Sequence, residues 1–226
     1  MKKLYRKEKY ATRDEWLSQR AFGGSSVSAL FNASPYMTAL DVYCASVNPS
    51  IEKEKDNAST IYGNEAEPII RELVKINFKD TYKVQSPNGY TMYRRIDKPY
   101  MTATLDGIMT NIETKEKWVL EIKTHDVKNR ADLDNWENHL PQNYYIQGLH
   151  YLAVLNDFIG VIYACKLRFY DYFNENGKKL LKEEVRYYYL KREDYAKDIE
   201  LVEETETKFQ KENIEKRIPP NILIKM

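Results

Sequence analysis

Cysteine is nearly absent. Cys44 and Cys165 are the only two among 226 residues, too few for a disulfide framework, a four-thiolate cluster or a complete structural zinc site. His125, His139 and His150 lack metal-ligand spacing and read as structural or surface residues. No stretch approaches the roughly 20 apolar residues of a membrane span, and the charged start MKKLYRKEKYATRDEW lacks the apolar run of a signal peptide. No membrane association is expected, and the cytoplasm is the expected compartment. Neither sign of charge dominates: 35 basic and 34 acidic side chains leave a formal charge of +1. A uniformly basic coat for nucleic acid is therefore excluded, and any contact with phosphate must come from a local patch. Neither a Walker A nor a dinucleotide glycine pattern occurs, which argues against ATP or NAD dependence. Ser25-Ser26 has no His/Asp pattern of a serine hydrolase. Without internal repeats, long Gly/Ser linkers or low-complexity blocks, residues 1–226 read as one domain with short terminal extensions.

What is present fits a globular chain: 42% apolar residues and 19 tyrosines, the latter suited to a core or a groove. Gly23-Gly24-Ser25-Ser26 leads into a short apolar helix over 27–31, and Thr38 caps a second through Val47. Residues 48–59 read as a loop. A helix is expected over 64–78, with Ile69, Ile70, Leu73, Val74 and Phe78 at helical spacing and Pro68 in its first turn. Strands are expected at 82–85, 90–95, 100–109 and 117–124, then a helix over 142–155. Two long strands, 158–172 and 184–190, flank a turn at Asn174-Glu175-Asn176-Gly177. A charged helix over 193–216, read as a solvated face, closes the chain. Helices before and after a run of strands predict an α/β (α+β) fold with a central mixed sheet flanked by helices.

The densest chemistry lies in Thr104-Leu105-Asp106-Gly107 and Leu120-Glu121-Ile122-Lys123. Fourteen residues lie between Asp106 and Glu121, enough for two antiparallel strands joined by a turn near 113–116. Side chains alternate along a strand, so Trp118, Leu120 and Ile122 share one face and Glu121 and Lys123 the other. Glu and Lys are seldom buried without a partner. If Asp106 ends the neighbouring strand, two carboxylates and an ammonium converge. Hard carboxylate oxygens suit magnesium, and the lysine can orient or help deprotonate an attacking water. An exposed sheet face with a cross-strand ion pair is the alternative. Glu67 falls on the stripe of Ile70 and Val74, either as a dipole partner at a helix start or as a third metal-site carboxylate.

Four pieces in order, Gly63-Asn-Glu-Ala-Glu67-Pro, Leu105-Asp106-Gly107, Leu120-Glu121-Ile122-Lys123 and Gln142-Asn-Tyr-Tyr-Ile-Gln147-Gly-Leu-His-Tyr151, resemble the YqaJ-type viral recombinase nucleases. That group is similar to phage lambda exonuclease within the restriction-endonuclease-like PD-(D/E)XK superfamily. The resemblance implies that Asp106, Glu121 and the main-chain carbonyl of Ile122 ligate two magnesium ions, with manganese an acceptable substitute. Glu67 would bind metal or its water, and Lys123 would position the nucleophile. Gln147 and Tyr151, one helical turn apart, would contact the scissile strand; ordinary helix packing is the alternative. Arg20 and Ser25 would hold a DNA 5′-phosphate, though Arg20 lies closer to the glycines than in the family pattern, and plain helix capping stays open. Thr104 matches a small hydroxyl residue that touches phosphate. The implied activity is 5′-to-3′ digestion of linear double-stranded DNA in a bacterial host, leaving 3′ single strands. A homotrimeric ring and a phage single-strand annealing protein are the implied partners. An endonuclease, a CRISPR-adaptation-type nuclease (a group that usually carries four cluster-binding cysteines) and a non-catalytic DNA-binding domain are the alternatives.

Overall fold

The computed structural model describes residues 2–48, 57–87, 89–137, 139–171 and 179–221. Two sheets organise it. Strands β1 (Tyr5–Tyr10), β3 (Tyr90–Arg95) and β4 (Thr102–Ala103) form an antiparallel three-stranded sheet in the order β1-β3-β4. A five-stranded sheet has the order β2-β5-β6-β7-β8, from Tyr82–Gln85, Gly107–Asn111, Lys117–Val127, Phe158–Asp171 and Lys179–Lys191. Among the described strands, only β6 and β7 run parallel, and the crossover such a pair requires carries α5 (Arg130–Asp134) and α6 (Gln142–Val154). The remaining helices are α1 (Arg13–Ser18), α2 (Gly24–Leu30), α3 (Ala39–Val47), α4 (Ala58–Asn77) and α7 (Ala196–Phe209), the last running into a π turn over Gln210–Ile214. Among the described residues, no helix is long and apolar enough to cross a membrane.

Alternation along β6 and β7 sorts two cores onto opposite faces of the larger sheet. Trp118, Leu120, Ile122, Ile162 and Ala164 meet Ala66, Ile70 and Val74 of α4. Val119, Val161, Tyr163 and Cys165 meet Leu149 and Leu152 of α6. Helix α6 is buried at every position from Ile146 to Val154, because the sheet, α2 and α7 enclose it.

Several expectations need correction. The strand expected over 100–109 is broken: Thr102–Ala103 belong to the smaller sheet and Gly107–Asn111 to the larger. The chain crosses between sheets at 104–106, which places Asp106 in a bend immediately before β5. Helix α4 begins at Ala58, where the Asn57 side chain accepts from the Thr60 amide at 3.0 Å, and so starts within the expected loop. Pro68 therefore sits in the helix interior rather than the first turn. It is tolerated on the exposed side, where the freed carbonyl of Asn64 can be hydrated. The charged N-terminal segment is itself a strand, β1, whose Glu8 pairs with Arg94 of β3. The closing helix is not wholly solvated, since Glu206 is fully buried. The turn at 174–177 and most of the 48–59 loop lie outside the described residues.

Candidate active site

Strand β5 pairs with β6 only as far as Gly107 opposite Leu120. Beyond that point no described strand pairs with this edge of β6, and the Ile122 amide donates to Asp106 Oδ2 at 2.7 Å. The bend before β5 thus folds the Asp106 carboxylate over the end of the paired segment. Glu121, on the α6 side of β6, is buried. Its Oε1 accepts from Gln147 Nε2 at 2.6 Å and meets Lys123 Nζ at 2.8 Å. Its Oε2 is buried with no hydrogen-bond partner among the described residues. Lys123 Nζ also stands 4.9 Å from the centre of the Tyr144 ring. From the α4 side, Glu67 contacts the Arg71 guanidinium, whose Nε donates to the main-chain oxygen of Asp106 at 2.8 Å.

These charges act on one another. Burial pushes the Glu121 carboxyl up to about 7, with Asp106 adding to the shift and Lys123 opposing it. Burial and Asp106 likewise raise Glu67, against Arg71 and Lys123. Burial raises Asp106 too, opposed by Lys123, the Ile122 amide and Arg71. For Lys123, burial favours the neutral amine, but Glu121 and Asp106 outweigh it and hold the ammonium protonated. Asp106, Glu121, Lys123 and Glu67 therefore form one electrostatic unit.

In the cation-free protein, the shift at Glu121 has a definite sign. Between the unfolded value of 4.5 and about 7, the folded state holds more of this proton than the unfolded chain. The stability it contributes must therefore fall as pH rises through that window. With chelator present, Glu121→Gln should lose less stability than wild type between pH 5 and 7.5, read by urea unfolding. Identical pH slopes would contradict the assignment.

The other expected residues are placed as follows. Gln147 and Tyr151 are buried, and Gln147 Nε2 donates to the Tyr151 hydroxyl at 2.7 Å as well as to Glu121. The 23–26 segment packs onto this pair: a Cβ on Gly24 would lie 2.7 Å from Gln147 Cγ and 2.9 Å from Tyr151 Cε1. Only glycine permits that approach. Arg20 reaches the same margin, with Nη2 3.4 Å from where a Gly23 Cβ would stand. Ser25 is exposed, its carbonyl accepting from Ser28 Oγ at 3.3 Å, while Ser26 Oγ accepts from the Gly23 amide at 3.1 Å. Thr104 is half-buried in the crossing segment two residues before Asp106. Arg71, Tyr144 and the packing role of Gly24 escaped the sequence reading. Arg71 carries a readable signal, standing four residues after Glu67 on one helix face.

The donor set is the Asp106 carboxylate, the Glu121 carboxylate, whose Oε2 has no hydrogen-bond partner among the described residues, and the Ile122 carbonyl, which shares an edge of β6 with the amide bonded to Asp106. Oxygen donors of this kind fit a hard divalent cation. Among the described residues, no three His, Cys, Asp or Glu side chains stand together as a complete metal cluster. The fit therefore rests on Asp106, Glu121 and main-chain oxygen.

The family model of the YqaJ-like viral recombinase domain matches residues 15–157, well over half the chain and all four motif pieces. The chain belongs to this family. Among solved structures, the YqaJ-like chain is similar to the alkaline exonuclease LHK-Exo from Laribacter hongkongensis, with a TM-score of 0.59 and 16% identity over 90% of this chain and 95% of that one. The same enzyme in complex with dAMP matches with a TM-score of 0.53 and 15% identity, over 91% and 96%. The fold is that of an alkaline exonuclease. No curated protein matches the sequence.

Proposed function

We propose that this YqaJ-like chain is a magnesium-dependent exonuclease that digests linear double-stranded DNA from 5′ ends and leaves 3′ single strands. One observation carries the reading: Asp106, Glu121 and Lys123 meet where β5 stops pairing with β6, and one carboxylate oxygen there has no hydrogen-bond partner among the described residues. The family and the alkaline exonuclease fold support it, and the dAMP bound to the Laribacter enzyme has the chemistry of a released mononucleotide.

Asp106, Glu121 and the Ile122 carbonyl would hold the cation, with Glu67 binding metal or its water. Magnesium bound there, as one ion or two, supplies Lewis acidity to the phosphodiester and makes water a better nucleophile at neutral pH. The chain's own residues fix the geometry. The Ile122 amide locks the Asp106 rotamer. Gln147, itself tied to Tyr151, and Lys123 fix one oxygen of Glu121 and leave the other free. As an ammonium, Lys123 places positive charge beside the attacking water and the phosphate oxygens. Arg71 ties Glu67 to the Asp106 main chain and offsets the repulsion between their carboxylates. Arg20, Ser25 and Thr104 would contact phosphate, the first two at the chain end, and Gln147 and Tyr151 the scissile strand.

A nearly neutral chain holds DNA through local cationic contacts alone, without a uniformly basic surface. A homotrimeric ring around the duplex would supplement that hold by topology, with a single-strand annealing protein receiving the 3′ strand in the bacterial cytoplasm. Light scattering that shows a stable monomer would remove the ring.

The activity is tested with linear duplex and closed circular plasmid, each with magnesium or with chelator. Linear DNA should release mononucleotides only with magnesium, and the plasmid should stay intact. Cleavage of the plasmid would indicate an endonuclease instead.

A further inference from the structure

Arg20 differs from the other arginines around the core. Arg95 is engaged by Asp97 and Glu203, Arg94 by Glu8 and main-chain carbonyls, and Arg192 by the carbonyls of Leu152, Leu155 and Phe158. Among the described residues, no carboxylate pairs with Arg20. Its guanidinium is instead seated on the ring of Trp16, 4.8 Å from the ring centre.

That seat is itself held in place. Trp16 lies in α1 and packs against Tyr90 of β3, ring centres 6.2 Å apart. Its Nε1 is buried without a hydrogen-bond partner among the described residues, so packing, not polar bonding, fixes the ring. The chain leaving α1 is pinned next to Arg20, where Arg94 Nη2 donates to the Gln19 carbonyl at 2.7 Å. On its far side the guanidinium stands beside Gly23, and the next residue, Gly24, touches Gln147 and Tyr151.

An indole face attracts a cation without supplying an acceptor oxygen. It can orient a guanidinium while leaving all five N–H donors and the full charge for an outside anion, whereas a bidentate carboxylate would occupy two donors and offset that charge. A terminal phosphate monoester is the fitting anion: it carries more charge than a diester link and offers acceptor oxygens that the planar fork binds in pairs.

We infer that Trp16 is a positioning residue whose indole face holds Arg20 at the mouth of the site, and so sets the preference for 5′-phosphorylated DNA ends. The inference rests on the reading of Arg20 as the end-phosphate contact.

The test compares initial rates at subsaturating concentrations of linear duplexes with 5′-phosphate and 5′-hydroxyl ends, for wild type, Arg20→Ala, Trp16→Ala and Trp16→Phe. The ratio of the two rates is the readout. Arg20→Ala should bring it to about one. Trp16→Ala should lower it about three- to five-fold, the size of an exposed cation–π contact, and Trp16→Phe should recover most of the loss. If Trp16→Ala does not fold, Trp16→Leu, which keeps apolar volume without a ring face, should show the same fall. A wild-type ratio in the folded Trp16 variant, including parallel losses on both ends, would overturn the inference while Arg20→Ala still loses the preference. If Arg20→Ala keeps the preference, the phosphate reading of Arg20 fails first.

Discussion

Asp106→Ala is expected to lower magnesium-dependent nucleotide release by at least ~10³-fold, an effect of roughly 4 kcal/mol on the barrier. The size follows from what the side chain does. It supplies one of the two carboxylates at the edge of β6 with which no described strand pairs, and its Oδ2 is held by the Ile122 amide. Alanine removes the oxygen donors and leaves the β5–β6 pairing from Gly107 onward in place. DNA binding should persist, since removing an acid beside the phosphates reduces repulsion and leaves the cationic contacts intact. Release of acid-soluble nucleotide and a gel-shift titration check the two halves. Retention of a tenth of wild-type activity would contradict the role assigned to Asp106.

Glu206→Ala is expected to give the largest loss of stability, about 3–5 kcal/mol, or a fall in Tm of roughly 10 °C for a chain of this size. His150 and Glu206 are both completely buried, with Nδ1 2.8 Å from Glu206 Oε1 and Nε2 2.8 Å from the Thr102 carbonyl. A carbonyl only accepts, so Nε2 carries a proton. Nδ1 then either donates to the Glu206 carboxylate or accepts from its acid form. The pair joins α6, α7 and β4, and alanine would leave the imidazole without its partner in a dry site. Glu206→Gln, which can still hydrogen-bond Nδ1, should recover more than half of the loss. A loss under 1 kcal/mol for alanine, by urea unfolding, would contradict this account.

What could be read from the sequence follows from which interactions are local. Period-two alternation in 118–123 placed Glu121 and Lys123 on one face because that rule needs only the strand. Thr38 and its helix were readable because a cap and its target lie three residues apart. The break at 104–106 was not: both halves are strand-like, and only their partners, β3 for Thr102 and β6 for Gly107, assign them to different sheets. Helix α4 carries two apolar stripes, and periodicity cannot say which meets the sheet. Ala66, Ile70 and Val74 do, while Ile69 and Ile76 are 70% and 66% exposed. Glu206 sits in a charged run that looks solvated, and its partner lies 56 residues away on another helix.

The site shows the same division. The acids and the lysine were visible as motifs, but the bonds that orient them come from α6, α4 and the crossing bend. Gln147 was identified by resemblance, and its grip on Glu121 Oε1 is visible only in three dimensions. Trp16 carried no sequence signal, because a tryptophan four residues before an arginine is unremarkable until β3 supplies Tyr90 as its backing.

Crystals of the protein soaked in manganese, with anomalous scattering recorded at the manganese edge, test the central claim most directly. The expected map has a peak within coordination distance of the carboxylates of both Asp106 and Glu121 in wild type and none there in Asp106→Ala. A wild-type peak elsewhere, or none between those two side chains at saturating manganese, would contradict the assignment of this cluster as the cation site.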